Sequence, residues 1–372
     1  MEKSDKEEQK KNQSTEKQIF NVPFALGEIK ENITIKTKTP SKPSKEQIIN
    51  QAIKFHSQGN IQEAAKFYQY FINQGFKDHR IFANYGSVLK SLGKSQEAEL
   101  LTRKAIELNP DIAETHYNLG NLLKDLGKSQ EAEISLRKAI ELRPDFVDAH
   151  SNLGNILRDL GKSKEAEMSL RKAIQFNPHL AEAHSNLGIV LKDLGKLQEA
   201  EFSIHKAIEL NPNFADAHLS SGIILRDLGN LKEAEISTRK AIELNPDFAD
   251  AHFNLGIILR DLAKLKEAEI STRKAIELKP DYAEAHCNLG AILKELDNLQ
   301  EAEFSIRKAI ELKPDFAQAY SNLGSTLRDL GKLEEAEISL RKAIELNPDF
   351  PDAHQNLGLM LLQKEEYELC LN

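Results

Sequence analysis

One proline position constrains this chain more than anything else in it. Pro110, Pro144, Pro178, Pro212, Pro246, Pro280, Pro314 and Pro348 follow one another at intervals of 34 residues, each closing a variant of the string KAIELNP. A strict period of this length means that one supersecondary unit recurs, and that no unit buries its apolar face until it is stacked on neighbours. Eight full units follow from the register: 79–112, 113–146, 147–180, 181–214, 215–248, 249–282, 283–316 and 317–350. A degenerate unit, 45–78, precedes them, with Ala52, Gly59 and Ala64 in step. A partial unit, 351–372, follows.

Each unit reads as two helices. In 113–146, Leu119, Leu122, Leu123 and Leu126 form one stripe at helical spacing. Gly127 then stands where a helix end wants a residue at positive φ. A second stripe, Ala132, Leu136, Ala139 and Ile140, runs up to Pro144, which has no N–H with which to continue the ladder. Asp145 is placed to cap the following helix. Gly120 and Ala132 are small where the paired helices should cross. Ala263 and Asp297 replace the interhelix glycine in their units, so both are expected at positive φ. On the second helix a Glu precedes an Arg by four residues, as in Glu133/Arg137 and Glu235/Arg239, the favourable order for an intrahelical pair.

A 34-residue helix–turn–helix unit with Leu-Gly, a middle Ala, a later Ala and a terminal Pro resembles the tetratricopeptide repeat family, over about residues 45–372. The sequence departs from the family pattern at the fourth position, where His116, His150, His184, His218, His252, His286 and His354 replace the frequent aromatic. The resemblance implies an all-α, right-handed α-solenoid whose first helices line a concave, peptide-binding groove. Residues 1–44 are rich in Lys, Glu, Gln, Ser and Thr without helical periodicity, and read as a disordered tail and linker. The apolar stretch Ile19–Ile29 within them is either a partly collapsed tail or a short docking segment.

Composition excludes several function classes. With 50 Lys+Arg against 58 Asp+Glu the net charge is -8, a poor balance for nucleic acid or anionic membrane surfaces. No apolar run approaches the ~18 residues of a membrane span. Two cysteines, Cys287 and Cys370, exclude a disulfide scaffold and suit a reducing, cytoplasmic location. The histidine column recurs once per unit, too widely spaced to share the ~2.0–2.1 Å bonds of one zinc ion. No phosphate-loop, dinucleotide or hydrolase motif is present. A non-enzymatic chain without metal or cofactor is therefore expected.

In the resembled family the groove wall comes from positions 2, 5, 6, 9, 12 and 13 of each unit. Position 6 is Asn in nearly every unit, including Asn118, Asn152, Asn186, Asn254, Asn288 and Asn322, with Ser220 as the exception. A primary amide can hold a peptide group through both its N–H and its C=O. The column resembles the asparagine ladder in the repeat half of O-linked N-acetylglucosamine transferases, which implies a second function class: the substrate-selecting region of a glycosyltransferase whose catalytic module is not in this chain. Position 12 is cationic and position 13 almost always acidic, a pattern expected to pair between units. Positions 5 and 9 vary, and turn apolar together at Leu219, Ile223, Phe253 and Ile257. Apolar groups exposed together on a concave wall mark a binding site. The leading expectation is a scaffold that holds an extended peptide or partner protein over units 181–316. The last unit ends where a second helix should only be starting, so self-association through an uncapped C-terminal end is also expected.

Overall fold

The computed structural model describes the backbone of residues 44–371 and side chains to Glu365. The expected tail, with its apolar stretch Ile19–Ile29, lies outside the described residues. Nineteen helices and no strand occur among the residues described. The fold is an all-α solenoid of helical repeats, which divides after Pro178 into two compact units.

The first unit holds α1 (Lys45–Ser57), α2 (Ile61–Asn73), α3 (His79–Ser91), α4 (Ser95–Leu108), α5 (Ala113–Asp125), α6 (Ser129–Leu142), α7 (Val147–Asp159) and α8 (Ser163–Phe176). The second holds α9 (Ala181–Asp193), α10 (Leu197–Leu210), α11 (Ala215–Asp227), α12 (Leu231–Leu244), α13 (Ala249–Asp261), α14 (Leu265–Leu278), α15 (Ala283–Glu295), α16 (Leu299–Leu312), α17 (Ala317–Asp329), α18 (Leu333–Leu346) and α19 (Pro351–Leu371). Each odd-numbered helix packs against the even-numbered helix that follows it. The small residues sit at that crossing: a β-carbon on Gly120 would lie 2.7 Å from Leu136 Cγ, so only glycine allows α5 and α6 to approach so closely.

The turn within each repeat carries one residue at positive φ. It is glycine in most repeats, but Ala263 at φ 57° and Asp297 at φ 63° adopt the same conformation without it. Asp145 does not cap α7. The residue at that N-cap is Phe146, which makes no side-chain cap bond. The His column does the tethering instead. His116 Nε2 lies 2.8 Å from Pro110 O, His150 Nε2 2.9 Å from Pro144 O and His252 Nε2 2.9 Å from Pro246 O. A carbonyl only accepts, so Nε2 carries the proton and donates. These contacts tie the start of α5, α7 and α13 to the end of the helix before each.

The partial C-terminal repeat differs from the two-helix pattern. α19 is one continuous helix of 21 residues. Glu365 occupies the position held by Gly127 and its equivalents, and without a residue at positive φ the chain runs on. Leu359, Leu361 and Leu362 are exposed on this helix, whereas Met360 is buried.

Candidate functional site

Within each unit, the first helices of successive repeats touch one another: α3 meets α5, α11 meets α13, and α13 meets α15. The backbones of successive second helices do not approach in this way among the described residues. Repeats that are closer on the first-helix side curve toward it, so the first helices form the inner wall of each unit.

Position 5 does not lie open on that wall. Leu219 is only 8% exposed, and packs in a cluster with Ala241, Ala251, Ile223 and Phe248. Ser151, Ser185, Cys287 and Ser321 are buried at the same position. The cause is a second column that the sequence reading overlooked, the residue just before each first helix. Tyr117 meets Phe146 at 4.8 Å between ring centroids, and Phe253 meets Tyr282 at 4.8 Å. Each such ring, at the last position of its repeat, closes over position 5 of the same repeat. Cys287 is therefore a core thiol; burial pushes it up to about 12, and it is not poised as a nucleophile.

Position 9 behaves otherwise. Ile189, Ile223 and Ile257 are half-buried, on the exposed side of α9, α11 and α13. Phe253 is also half-buried, with one side on Tyr282. These groups form an apolar band across adjacent helices of the second unit. The equivalent positions of the first unit are polar: Ser87, Asn121 and Asn155.

The position-6 amides are half-buried, and most of them bond within the protein. Asn118 Nδ2 lies 3.5 Å from Ser87 Oγ, and Asn152 Nδ2 donates to Asn121 Oδ1 at 2.7 Å and Tyr117 Oη at 3.2 Å. Asn254 donates to Asp250 O at 2.8 Å, Asn288 to Thr272 Oγ1 at 3.3 Å, and Asn322 to Cys287 Sγ at 3.3 Å. Asn186 is half-buried on α9. Several of these amides link one first helix to the previous one, a structural duty that the sequence pattern alone did not separate from ligand binding.

The charged columns pair between repeats. Lys90 reaches Asp125 at 2.6 Å, Arg226 reaches Asp261 at 2.7 Å and Arg260 reaches Glu295 at 2.5 Å. A second set, on the outer helices, is more regular. Glu133 binds Arg137 of its own helix at 2.9 Å and Lys162 of the next repeat at 2.7 Å, while Arg137 reaches on to Glu165 at 2.5 Å. Glu235 and Arg239 repeat this with Lys264 and Glu267, both at 2.8 Å. The hydrogen bond from Lys264 holds the Glu235 carboxyl below its ordinary value, against partial burial, with Arg239 adding to the effect. These carboxylates, which read from sequence as members of intrahelical pairs, also bridge successive repeats.

The outer helices also carry exposed apolar residues one position after the bridging Glu. Ile134, Met168, Ile236, Ile270 and Ile338 are each 69% exposed, and Phe202 and Phe304 are 76% and 73% exposed. An open cleft of about 660 Å³ on this side is lined in part by Arg307, Tyr320, Ile338 and Lys342. No group of three or more His, Cys, Asp or Glu side chains arranged to hold a metal ion occurs among the described residues. No helix among them is long and apolar enough to cross a membrane.

The tetratricopeptide repeat matches at residues 79–112 and 215–248; at 113–146, 181–214 and 283–316; and at 135–168, 238–270 and 306–338. A further model, described as TPR repeat, matches at 154–195 and 324–364. No curated protein matches this sequence. Among solved structures, the chain is similar to one in the crystal structure of the APC/C hetero-tetramer Cut9-Hcn1, at 14% identity and a TM-score of 0.60. The match covers 86% of this chain and 67% of that one. A tetratricopeptide repeat protein from Parabacteroides merdae is 21% identical with a TM-score of 0.54, over 67% of this chain and 98% of that one. YrrB, described as a TPR protein with an unusual peptide-binding site, is 30% identical with a TM-score of 0.40, over 50% of this chain and 95% of that one.

Proposed function

Since this chain belongs to the tetratricopeptide repeat family, whose members typically mediate protein–protein interactions and are generally non-catalytic, we propose that it is a scaffold binding an extended peptide segment of a partner protein along the first-helix wall of residues 181–316. The observation that carries this reading is the band of Ile189, Ile223 and Ile257 with Phe253 at its edge. In a folded chain, neighbouring apolar groups left open on an inner wall await a ligand that covers them. Asn186, Asn254 and Asn288 flank the band. One N–H of Asn254 and one of Asn288 are committed within the protein, and each amide keeps a second N–H and a carbonyl oxygen for a peptide group. Leu219 supports the wall from beneath rather than touching the ligand.

The reading is tested with peptides selected from a displayed library of random 12-residue sequences on the full chain. Fully burying one side chain of this size contributes about 1.5–3 kcal/mol, and each 1.4 kcal/mol is tenfold in affinity. Phe253→Ala and Ile257→Ala should each weaken the selected peptides several-fold to tenfold or more, and Asn254→Ala to a similar or smaller extent. Ser151→Ala, in the first unit, should leave affinity unchanged. Peptides indifferent to Phe253→Ala and Ile257→Ala, but lost on Ile236→Ser or Ile270→Ser, would place binding on the outer helices and overturn the reading.

A further inference from the structure

We propose that the peptide bound at this wall is cationic as well as apolar, its Lys or Arg side chains facing a row of uncompensated carboxylates, Glu182, Asp216 and Asp250; this rests on the groove reading above. These residues occupy position 2 of their repeats, in the first turns of α9, α11 and α13. Position 2 and position 9 are seven residues apart on one helix. Seven residues make almost two full turns, so the two positions share a face and lie about 10 Å apart along the axis. The acidic row therefore runs parallel to the Ile189–Ile223–Ile257 band.

The equivalents of these three carboxylates are paired in two other repeats. Glu114 is met by Arg143 Nη1 at 2.7 Å, and Glu284 by Lys313 Nζ at 2.9 Å. In both cases the cation sits at position 31 of the same repeat. In repeats 181–214 and 215–248 that position is Asn211 and Asn245, which bring no charge to Glu182 or Asp216. In 249–282 it is Lys279, whose Nζ lies 4.4 Å over the Tyr282 ring. Among the described residues no ion pair joins Glu182, Asp216 or Asp250 to any cation, and Asp250 has the Tyr282 hydroxyl as a hydrogen-bonding neighbour. A first-turn acid is favoured by the helix N-terminus in any case. That preference explains an acid at position 2, and Asp148 in repeat 147–180 likewise faces an uncharged Asn177 at position 31; what sets Glu182, Asp216 and Asp250 apart is that each acid without an ion pair stands on the same helix as an apolar residue at position 9.

The opposite border of the band adds little competing charge. Arg226 and Arg260 are taken up by Asp261 and Glu295, and Lys192 lies 3.6 Å from Asp193. An incoming peptide thus meets one acidic border, an apolar floor and a largely neutralised far border, on a chain of net charge -8. A basic peptide would be steered to such a wall, and an acidic one repelled.

The library selection distinguishes this inference from the reading beneath it. Selected peptides are synthesised with a fluorophore, and their affinity for the full chain is measured by anisotropy at low and high salt. The test variants are the triple Glu182→Gln, Asp216→Asn, Asp250→Asn and the double Ile223→Ser, Ile257→Ser. The three carboxylates are exposed, so the triple variant should keep its circular dichroism spectrum. The expected result is a peptide set enriched in Lys or Arg together with apolar residues, weakened at least tenfold by the triple, at least tenfold by the double, and markedly by salt. Peptides lost on the double but without excess Lys or Arg, and indifferent to the triple, would overturn this inference and leave the groove reading standing. Peptides indifferent to both variants would overturn both.

Discussion

Repeats 113–146 and 215–248 share a scaffold and spend their side chains differently. In the first, Leu119 and Leu136 are buried at the helix crossing, and Glu133, Arg137, Lys162 and Glu165 bind the outer helix to the next repeat. In the second, Ser221 and Thr238 stand at the two core positions, and the Ser221 hydroxyl meets that of Ser237 at 3.2 Å. At its junction with repeat 181–214, His205 replaces the bridging Arg and Asn230 replaces the bridging Lys. No ion pair crosses that junction among the described residues. Its far junction is intact, with Arg239–Glu267, Lys264–Glu235 and Arg226–Asp261. The leucine has in effect moved two positions, from 7 to 5, where Leu219 supports the wall. The repeat that has given up core volume and cross-repeat pairs is the one at the centre of the apolar band and the acidic row. Stability and binding surface draw on the same few side chains, and here the second has been favoured.

The comparison can be broken most forcefully at the core. Leu119→Ser should import the weakness of 215–248 into 113–146 and cost about 2–5 kcal/mol, as large-to-small core substitutions do. The reverse change, Ser221→Leu, should stabilise by about 1 kcal/mol or less, since Leu219 already fills part of the space. Denaturant titration of both variants measures the asymmetry. Ala263 gives the next effect. A left-handed conformation costs a residue with a β-carbon about 1–2 kcal/mol, and glycine returns part of that in unfolded-chain entropy. Ala263→Gly should therefore raise stability by about 0.5–1 kcal/mol, seen as a higher unfolding midpoint.

Smaller still is the repair of the missing ladder. His205→Arg with Asn230→Lys should restore both cross-repeat pairs, for about 0.5–1 kcal/mol in total. Because such pairs are screened, the gain should shrink in molar salt; a gain unaffected by salt would mean that the substitutions act through packing. Acid sharpens the same contrast. The hydrogen bond from Lys264 holds the Glu235 carboxyl below its ordinary value. A carboxylate depressed in the folded state contributes stability that is fully present above its unfolded pKa and is lost as pH falls through its folded pKa. Hydrogen exchange followed from neutral pH to below 4 should thus show the α12–α14 junction loosening with acid, while the α10–α12 junction, which has no such pair to lose, changes least.

Most of the architecture was legible because the proline period and the Leu, Gly and Ala columns recur in register, and local rules fix two helices per period. The positive φ of Ala263 and Asp297 followed from register alone. Three features were not legible in that way. The outer carboxylates read only as intrahelical partners because the Lys that reaches them arrives from the next repeat. Position 5 read as wall because its cover, Phe146 or Tyr282, stands 29 residues further on, at the last position of the same repeat. The C-terminal segment read as a first helix with a second just starting because the repeat was extrapolated past Glu365, where the turn residue is missing. The first miss is a contact between repeats and the second a contact between distant ends of one repeat, neither of which a pattern read helix by helix contains; the third is one residue that breaks the period.

The most direct test of the account is hydrogen exchange on the full chain with and without a selected peptide. The account predicts new protection on α9, α11, α13 and α15, largest at α11, where the free protein is least braced, and no change on α12 or α14. Protection confined to α12, α14 and α16, beside Ile236, Ile270 and Phe304, would contradict it.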